Sequence, residues 1–142
     1  MKKDPSRQSS GCKLPRSRIL RGREAFNRLF SDGKYQRGTN FNVRYVLHMQ
    51  EKPVCRMGFI VSKRLGNAVK RIHAKRIMRE AYRRHQHLLL GLNEAGIGFE
   101  GAMMCRKIGL TFHECEAECI TTLSSIAKQS LEKHSSANQK IT

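Results

Sequence analysis

The segment KRLGNAVKRIHAKRIMREAYRR, at residues 63–84, constrains the fold of this chain more than any other stretch. It holds nine basic residues and a single acid, Glu80. Apolar residues recur within it and just after it at the spacing of one buried helix face. They are Ala74, Ile77, Met78, Ala81, Tyr82 and Leu88. The pattern predicts the longest helix of the chain, from about Ala68 to Leu89, with one face on a core and a cationic strip opposite.

Four other stretches predict strands. Apolar and polar residues alternate in FNVRYVLHM (41–49), and RMGFIVSK (56–63) also has the composition of a strand. GAMMCR (101–106) is a short apolar run, which indicates a buried strand. The glycines that interrupt the pattern before it are Gly91, Gly96 and Gly98. A short extra strand is expected near 34–37.

Two more helices complete the predicted order. Apolar residues at helical spacing, followed by Gly33, predict a first helix at about 23–31. Thr111, with Glu114 three residues later, predicts the N-terminus of a last helix. The order of helix, strands, helix, strand and helix indicates an α+β fold, built as a two-layer α/β sandwich of helices on a small sheet.

The charge of the chain is concentrated in its first part. Residues 1–84 hold 23 Lys and Arg against 5 Asp and Glu, whereas residues 85–142 hold 5 against 6. Because concentrated like charge destabilises a compact state, a polyanionic partner is the simplest explanation. The competing polyanion is a membrane surface, but the sequence has neither a run of about 18 apolar residues nor a signal peptide. We therefore expect a cytoplasmic protein without a membrane partner.

The composition of the two ends predicts three regions. Residues 1–18 are rich in Lys, Arg, Ser, Gly and Pro, which is typical of a disordered basic arm. Residues 19–131 form the predicted folded domain, which would bind the polyanion. Residues 132–142 are expected to be a disordered tail. The residues leave open whether the arm binds the polyanion or only raises solubility.

No constellation of residues points to catalysis by the protein alone. The cluster His113, Cys115 and Cys119 lacks the CxxC spacing of a structural zinc site, and buried positions one helical turn apart explain Cys115 and Cys119 adequately. The odd number of five cysteines fits a reducing compartment. We predict no metal site and no catalytic residue in this chain, and expect a binding protein.

The basic helix and the turn before it have the chemistry of a phosphate-binding surface. On a helical projection Lys75, Arg76, Arg79 and Arg83 share one face, where they can neutralise successive phosphates. The turn that contains Lys63 and Asn67 offers backbone amides at a helix N-terminus. Aromatic rings near this region can stack on bases or be buried in the core, and the sequence leaves both roles open. They are Phe26, Phe30 and Tyr45.

Several segments of the sequence resemble those of a known protein family. RMGFIVSKRLGNAVKR, followed by KRIMRE, resembles the signature segment of the bacterial ribonuclease P protein component, and FNRLFSDG is similar to the first helix of that family. The resemblance extends over about residues 20–131. It implies a helix, three strands, a helix, a strand and a helix, with a small mixed sheet and a left-handed crossover.

The resemblance also implies a function. In that family an RNA subunit with Mg²⁺ is the catalyst, and the protein binds this RNA and the 5′ leader of precursor tRNA, with no further protein partner evident here. The reaction is endonucleolytic removal of the leader. The residues implied to bind RNA are Lys63, Arg64, Asn67, Arg71, Lys75, Arg76 and Arg79, beside Arg83 on the same face. Those implied to line the leader cleft are Phe26, Phe30 and Tyr45.

One departure from the family pattern falls in the middle of this surface. Where the family usually has Arg-Asn-Arg at the start of the long helix, this chain has Arg71, Ile72 and His73. Ile72 removes an amide, and His73 replaces a permanent forked charge by a titratable one. We expect Lys75, Arg76 and Arg79 to contribute more of the RNA binding as a result.

Three other functions are weighed against this one. A ribosomal or ribosome-assembly protein has similar charge and size, but the contiguous turn-and-helix signature favours ribonuclease P. A DNA-binding protein would place the basic helix in a major groove, yet the sequence has no helix-turn-helix or zinc-finger pattern. A metal-dependent nuclease acting alone lacks a ligand set.

Overall fold

The computed structural model describes the backbone of residues 13–49 and 51–141, and side chains within those ranges as far as residue 134. The described chain contains four α-helices and four strands. The helices are α1 (Arg23–Asp32), α2 (Ala68–His85), α3 (His87–Glu94) and α4 (Phe112–Ile141). The strands are β1 (Lys34–Gln36), β2 (Phe41–Met49), β3 (Cys55–Ile60) and β4 (Ile97–Cys105). Short 3₁₀ turns lie at Arg16–Arg18 and Lys63–Leu65.

The four strands form one mixed sheet in the order β1-β2-β4-β3. Strand β4 is internal, pairing antiparallel with β2 and parallel with β3. Parallel strands need a crossover connection, which α2 and α3 provide between β3 and β4. The predicted α+β class and the order of three strands before the crossover are confirmed. The left-handed course of the crossover stays a prediction.

One face of the sheet carries the main hydrophobic core. Val43 and Tyr45 of β2, with Phe99 and Met103 of β4, are at most 4% exposed. Helices α2, α3 and α4 cover them with apolar side chains, so this face is closed to solvent. The largest of those side chains are Met78, Tyr82, Leu89, Leu92, Leu123 and Ile126.

Helix α1 covers part of the opposite face. Leu29, which is completely buried, packs with Leu20 and Ala102, and Phe26 lies against this small cluster. The strand positions that point to this side alternate with the core positions and carry both apolar and polar residues. The polar and charged ones are Asn42, Arg44, His48, Arg56 and Glu100. This partly covered face, with the facing side of α1, is called the open face below.

Helix α1 ends at a glycine for a steric reason. Its observed bounds agree closely with the predicted ones, and the amide of Gly33 donates to the carbonyl of Leu29 at 2.9 Å. The φ of Gly33 is −70°, so a left-handed conformation is not required. A Cβ at this position would instead collide with the Leu29 carbonyl oxygen, which explains why the residue is glycine.

The helix predicted from Ala68 to Leu89 is divided at Gln86. Helix α2 ends at His85 and α3 begins at His87, because the fully buried Gln86 side chain is held by tertiary hydrogen bonds. The prediction that this is the longest helix is also wrong. Helix α2 has 18 residues and α4 has 30. None of the described helices is long and apolar enough to cross a membrane.

Residues 13–18 contact the folded domain, so the disorder predicted for the basic arm does not extend to them. Gln86 Nε2 donates to the carbonyl of Lys13 at 3.0 Å, and Arg18 Nη1 donates to Gln86 Oε1 at 3.3 Å. Gln86 Nε2 also donates to the carbonyl of Arg83 at 3.0 Å, so the buried amide is paired both within its own helix and with the N-terminal segment. The rest of the predicted arm, residues 1–12, lies outside the described part of the chain.

Two further boundaries differ from the predicted ones. Strand β4 begins at Ile97 rather than Gly101, because pairing with neighbours on both sides keeps glycine-containing backbone extended. Strand β3 ends at Ile60, and the residues predicted to extend it turn into the 3₁₀ segment. Helix α4 starts after Thr111, as predicted, and passes through the predicted boundary between residues 131 and 132.

Candidate nucleic-acid interface

Helix α2 presents the cationic strip predicted from its sequence. Lys75, Arg76 and Arg79 are exposed, whereas Ala74 and Met78 on the opposite face are buried at 2% and 0% exposure. Arg79 lies over the ring of Phe59, with 6.0 Å from its Cζ to the ring centroid. No ion pair joins any of these three cations to a carboxylate among the described residues, so their charge is available to a ligand.

Arg83, at the end of the strip, differs from these three residues. Its guanidinium is bound to Glu80, with 2.6 Å from Nη2 to Oε1, and Arg84 binds the same oxygen at 3.1 Å. The hydrogen bond from Arg83 is the largest cause of a lowered pKa for Glu80, and Arg84 adds to it. Part of the charge of Arg83 is therefore neutralised within the helix, which makes it a weaker phosphate ligand than predicted.

The turn before α2 positions Lys63 and Arg64 at the helix N-terminus. Asn67 caps the helix: its Oδ1 accepts from the amide of Lys70 at 2.9 Å. Arg71 Nε donates to the carbonyl of Gly66 at 3.2 Å, which ties the first turn of the helix back to the loop. Two of the predicted RNA-binding side chains, Asn67 and Arg71, therefore make structural contacts within the turn, while Lys63 and Arg64 are exposed.

The structure separates the three aromatic residues predicted to line one cleft. Phe26 and Phe30 lie on α1, stacked with 6.5 Å between ring centroids, and Phe30 is 46% exposed. Tyr45 is 4% exposed in the main core, stacked on Phe99 at 5.5 Å, and burial raises the pKa of its hydroxyl. The prediction that Tyr45 lines a cleft with the other two rings does not fit this position, because adjacent residues of a strand face opposite ways.

Arg44 occupies the position on the open face that the prediction gave to Tyr45. Its Cζ lies 5.7 Å from the ring centroid of Phe30 and 5.2 Å from that of Tyr35, and its Nη1 donates to the carbonyl of Phe30 at 3.2 Å. A guanidinium beside two exposed rings can stack on a base and bind a phosphate. The alternation of apolar and polar residues along β2 already indicated that Arg44 and the adjacent Tyr45 face opposite sides of the sheet.

A carboxylate lies beneath this face. Glu100 is 7% exposed, and its oxygens lie 3.0 Å from His48 Nε2, 3.3 Å from Arg28 Nη2 and 3.6 Å from Arg56 Nη1. Burial by itself raises the pKa of Glu100, but hydrogen bonds from His48 and Arg28 outweigh it and hold that pKa below its usual value. The anion therefore links β4 to α1, β2 and β3.

Comparisons with known proteins identify the family of this chain. The sequence model of the ribonuclease P family matches residues 14–127. The chain belongs to the ribonuclease P family. A ribonuclease P protein component of Chlorobaculum tepidum is 32% identical over 119 residues, covering 78% of this chain and 73% of that protein. The protein component of Coprothermobacter proteolyticus is 38% identical over 79 residues, covering 55% of this chain and 63% of that protein.

The lengths of these matches differ. The matches to the protein components of Coprothermobacter proteolyticus and Desulfotalea psychrophila span 63% and 62% of those relatives, somewhat less than two thirds. These matches extend over 79 and 76 residues, which is longer than the turn and basic helix at residues 63–84.

Solved structures of ribonuclease P proteins share the fold. The protein of Staphylococcus aureus gives a TM-score of 0.62 at 23% identity, covering 78% of this chain and 95% of that chain. The protein of Thermotoga maritima gives 0.61 at 24% identity, covering 75% and 96%. At these identities the likeness concerns the fold alone, and it supports the mixed sheet with its crossover helices.

The described residues do not form a metal centre. No group of three or more His, Cys, Asp or Glu side chains within the described ranges is arranged to hold a metal ion. Cys115 and Cys119 are completely buried in the core, as their spacing predicted, and burial raises the pKa of Cys115 to about 12.

Proposed function

We propose that the chain is the protein subunit of a ribonuclease P ribonucleoprotein, an endoribonuclease that removes the 5′ leader of precursor tRNA. The observation that carries the proposal is the exposed strip Lys75, Arg76 and Arg79, whose cations have no carboxylate partner among the described residues, in a chain that belongs to this family. A concentration of cations without internal partners favours the binding of an external polyanion, and RNA is the polyanion that the family membership indicates.

The two surfaces would bind two different RNA molecules. The strip on α2, with Lys63 and Arg64, would bind the phosphates of the catalytic RNA subunit. The open face, with Phe26, Phe30 and Arg44, would bind the single-stranded leader, because exposed rings stack on bases without strong sequence preference. Each surface has the chemistry that its proposed ligand needs.

Hydrolysis is assigned to the RNA subunit in this proposal. The magnesium ions of the holoenzyme would be bound through that RNA, and the protein would be an accessory subunit without a catalytic residue. Its own contribution is to hold the leader and the RNA together, which raises the fraction of substrate bound in a productive position. The cytoplasmic location follows from this role and stays a prediction.

The test is cleavage of a 5′-extended precursor tRNA at low magnesium concentration. Reactions contain a bacterial ribonuclease P RNA with the wild-type chain, without it, or with a double variant Lys75→Ala/Arg76→Ala; a further reaction contains the protein alone. A control variant, Lys52→Ala/Lys128→Ala, removes the same charge from exposed positions in the β2–β3 turn and on α4. We expect stimulation of correct 5′ cleavage by the wild type and the control, and a loss of stimulation in the α2 variant.

Two results would contradict the proposal. Cleavage by the protein alone would move the catalytic role to the chain. Absence of stimulation with RNA subunits from several bacterial lineages, together with tight general RNA binding, would favour the ribosome-associated function instead.

A further inference from the structure

A groove of about 670 Å³ lies at the start of α1, away from the strip on α2. Its walls are the N-terminal segment 16–22, the first turn of α1, and the side chains of Arg56 on β3 and Glu100 on β4. Five arginines line it, against two carboxylates. The arginines are Arg16, Arg21, Arg23, Arg28 and Arg56.

Two of the five arginines have an internal role. Arg28 and Arg56 are bound to Glu100, and Arg56 Nε also donates to the carbonyl of Ser17 at 3.1 Å. These contacts fix the floor of the groove and neutralise the buried carboxylate. The floor therefore carries two arginines for one carboxylate before any ligand enters.

The other three arginines have no such role. Arg16, Arg21 and Arg23 are exposed, and no carboxylate or hydrogen-bond acceptor among the described residues binds their guanidinium groups. The second carboxylate at the groove, Glu24, is exposed and forms no ion pair with a described residue. Three forked cations around one concave surface repel one another, so an anion in the groove relieves their repulsion.

The backbone at the groove also favours an anion. Helix α1 begins after Gly22, and no side chain caps its first amides. The φ of Gly22 is +98°, and nothing lies within 4 Å of the position where a Cβ would stand, so no described side chain fills the space beside Gly22. Free amides at a helix N-terminus donate to phosphate oxygens, and the helix dipole adds to the attraction.

We infer that this groove binds a phosphate group of the RNA strand that lies on the open face. The inference rests on the proposed function and extends it from stacking to phosphate recognition. Phe26 lies four residues after Gly22 on the same helix, about 6 Å further along its axis. A strand whose base stacks on Phe26 or Phe30 therefore carries an adjacent phosphate to the groove.

The experiment measures the binding of a short single-stranded oligoribonucleotide by the full chain. The probe carries a 3′ fluorescein and is used with a 5′ phosphate or a 5′ hydroxyl. The variant Arg21→Gln/Arg23→Gln removes two unpaired cations of the groove, and Lys52→Gln/Lys128→Gln removes two exposed cations elsewhere. Affinity is measured by fluorescence anisotropy over a range of salt concentrations.

We expect the groove variant to bind the probe roughly tenfold more weakly than the control variant, and its salt slope to fall by about 0.7, the contribution of one single-strand phosphate contact. An equal loss with both probes assigns the site to an internal phosphodiester. A loss confined to the 5′-phosphorylated probe assigns it to a terminal phosphate. Both results support a phosphate site in the groove.

Equal affinity and equal salt slope for the groove and control variants would overturn the inference. If the Arg21→Gln/Arg23→Gln variant loses binding and its urea midpoint also shifts, a second variant, Arg21→Lys/Arg23→Lys, keeps the positive charge. Recovery of binding in the second variant supports the site. No recovery overturns it. Cleavage with the RNA subunit separates the two proposals. If the wild type and the groove variant stimulate cleavage equally, the proposed function stands and the groove is not a phosphate site.

Discussion

The two faces of the sheet are made of alternate residues of the same strands, yet they differ in composition, cover and charge. The closed face carries Val43, Tyr45 and Phe99 beneath three helices. The open face carries Arg44 and Glu100, with only α1 and a few apolar residues beside them. One face excludes water, and the other holds charge at the surface.

From this difference we expect that stability and the proposed RNA binding depend on adjacent residues of β2. Tyr45 stabilises the fold because its ring is buried against Phe99 at 5.5 Å between centroids. Arg44 reaches Phe30 and Tyr35 on the other side and leaves its charge accessible to RNA. Substitutions at neighbouring positions should therefore have opposite consequences.

The largest predicted effect is on the closed face. Tyr45→Ala should lower the free energy of unfolding by about 3–5 kcal/mol, since it removes a buried aromatic ring and leaves a cavity. Arg44→Ala should lower it by only about 0.5–1 kcal/mol, the contribution of an exposed cation–π contact, while weakening leader binding. Urea unfolding and anisotropy with a leader oligoribonucleotide measure the two properties. A stable Tyr45→Ala variant with impaired leader binding would return Tyr45 to the cleft.

The second prediction concerns the carboxylate of the open face. Glu100→Gln should destabilise the fold by about 1–2 kcal/mol at pH 7, less than a fully buried ion pair, because its partners are partly exposed. The folded-state pKa of Glu100 is lowered, so this stabilisation is complete above the unfolded value of about 4.3 and is lost as pH falls through the folded pKa.

The measurement for Glu100 is the unfolding free energy of wild type and variant from pH 7 to pH 3. The difference between them should be constant at neutral pH and shrink below about pH 4. Arg106→Gln is a control for the loss of an arginine hydrogen bond outside this cluster, since Arg106 Nη1 donates to the carbonyl of Gly38. A difference that grows with acidity would contradict the assigned sign.

The third prediction compares the strip with the open face. Lys75→Ala should reduce affinity for the RNA subunit by a few fold and lower the salt slope by about 1, with a change in unfolding free energy within about 0.5 kcal/mol. Lys128→Ala, on α4, is the matched control. Filter binding over a salt series, with urea unfolding of both variants, measures these effects. A large fall in stability would make Lys75 a structural residue instead.

The smallest predicted effect concerns Ile72, which is 52% exposed on α2. Ile72→Asn restores the amide usual in the family and should raise affinity for RNA by less than about tenfold, because it adds at most one hydrogen bond at an exposed position. Its stability should hardly change. The Kd for the RNA subunit tests this, and an unchanged Kd would mean that position 72 makes no RNA contact here.

Elements with strong periodicity could be predicted from the sequence. The alternation in β2 and the apolar spacing of α1 each depend on neighbouring residues, so their bounds agree with the structure within one or two residues. The N-cap of α4 could also be predicted from neighbouring residues, because the backbone amide of Glu114 donates to Thr111 Oγ1 at 3.2 Å. The division of the long helix at Gln86 was not local, because its bond partners Lys13 and Arg18 are about 70 residues away.

The candidate site likewise has features that the sequence predicts and features that only the structure shows. The sequence by itself determined the cationic strip, because 100° per residue places Lys75, Arg76 and Arg79 on one face of any helix. It also determined the family, through a contiguous turn and helix. The ion pair between Glu80 and Arg83 is also local, since the two residues lie three apart on one helix. Only the tertiary structure decided which face of the sheet stays open, and that Arg44 rather than Tyr45 lies beside Phe30. Those outcomes depend on which surfaces the helices cover, and covering is a property of contacts between residues distant in the chain.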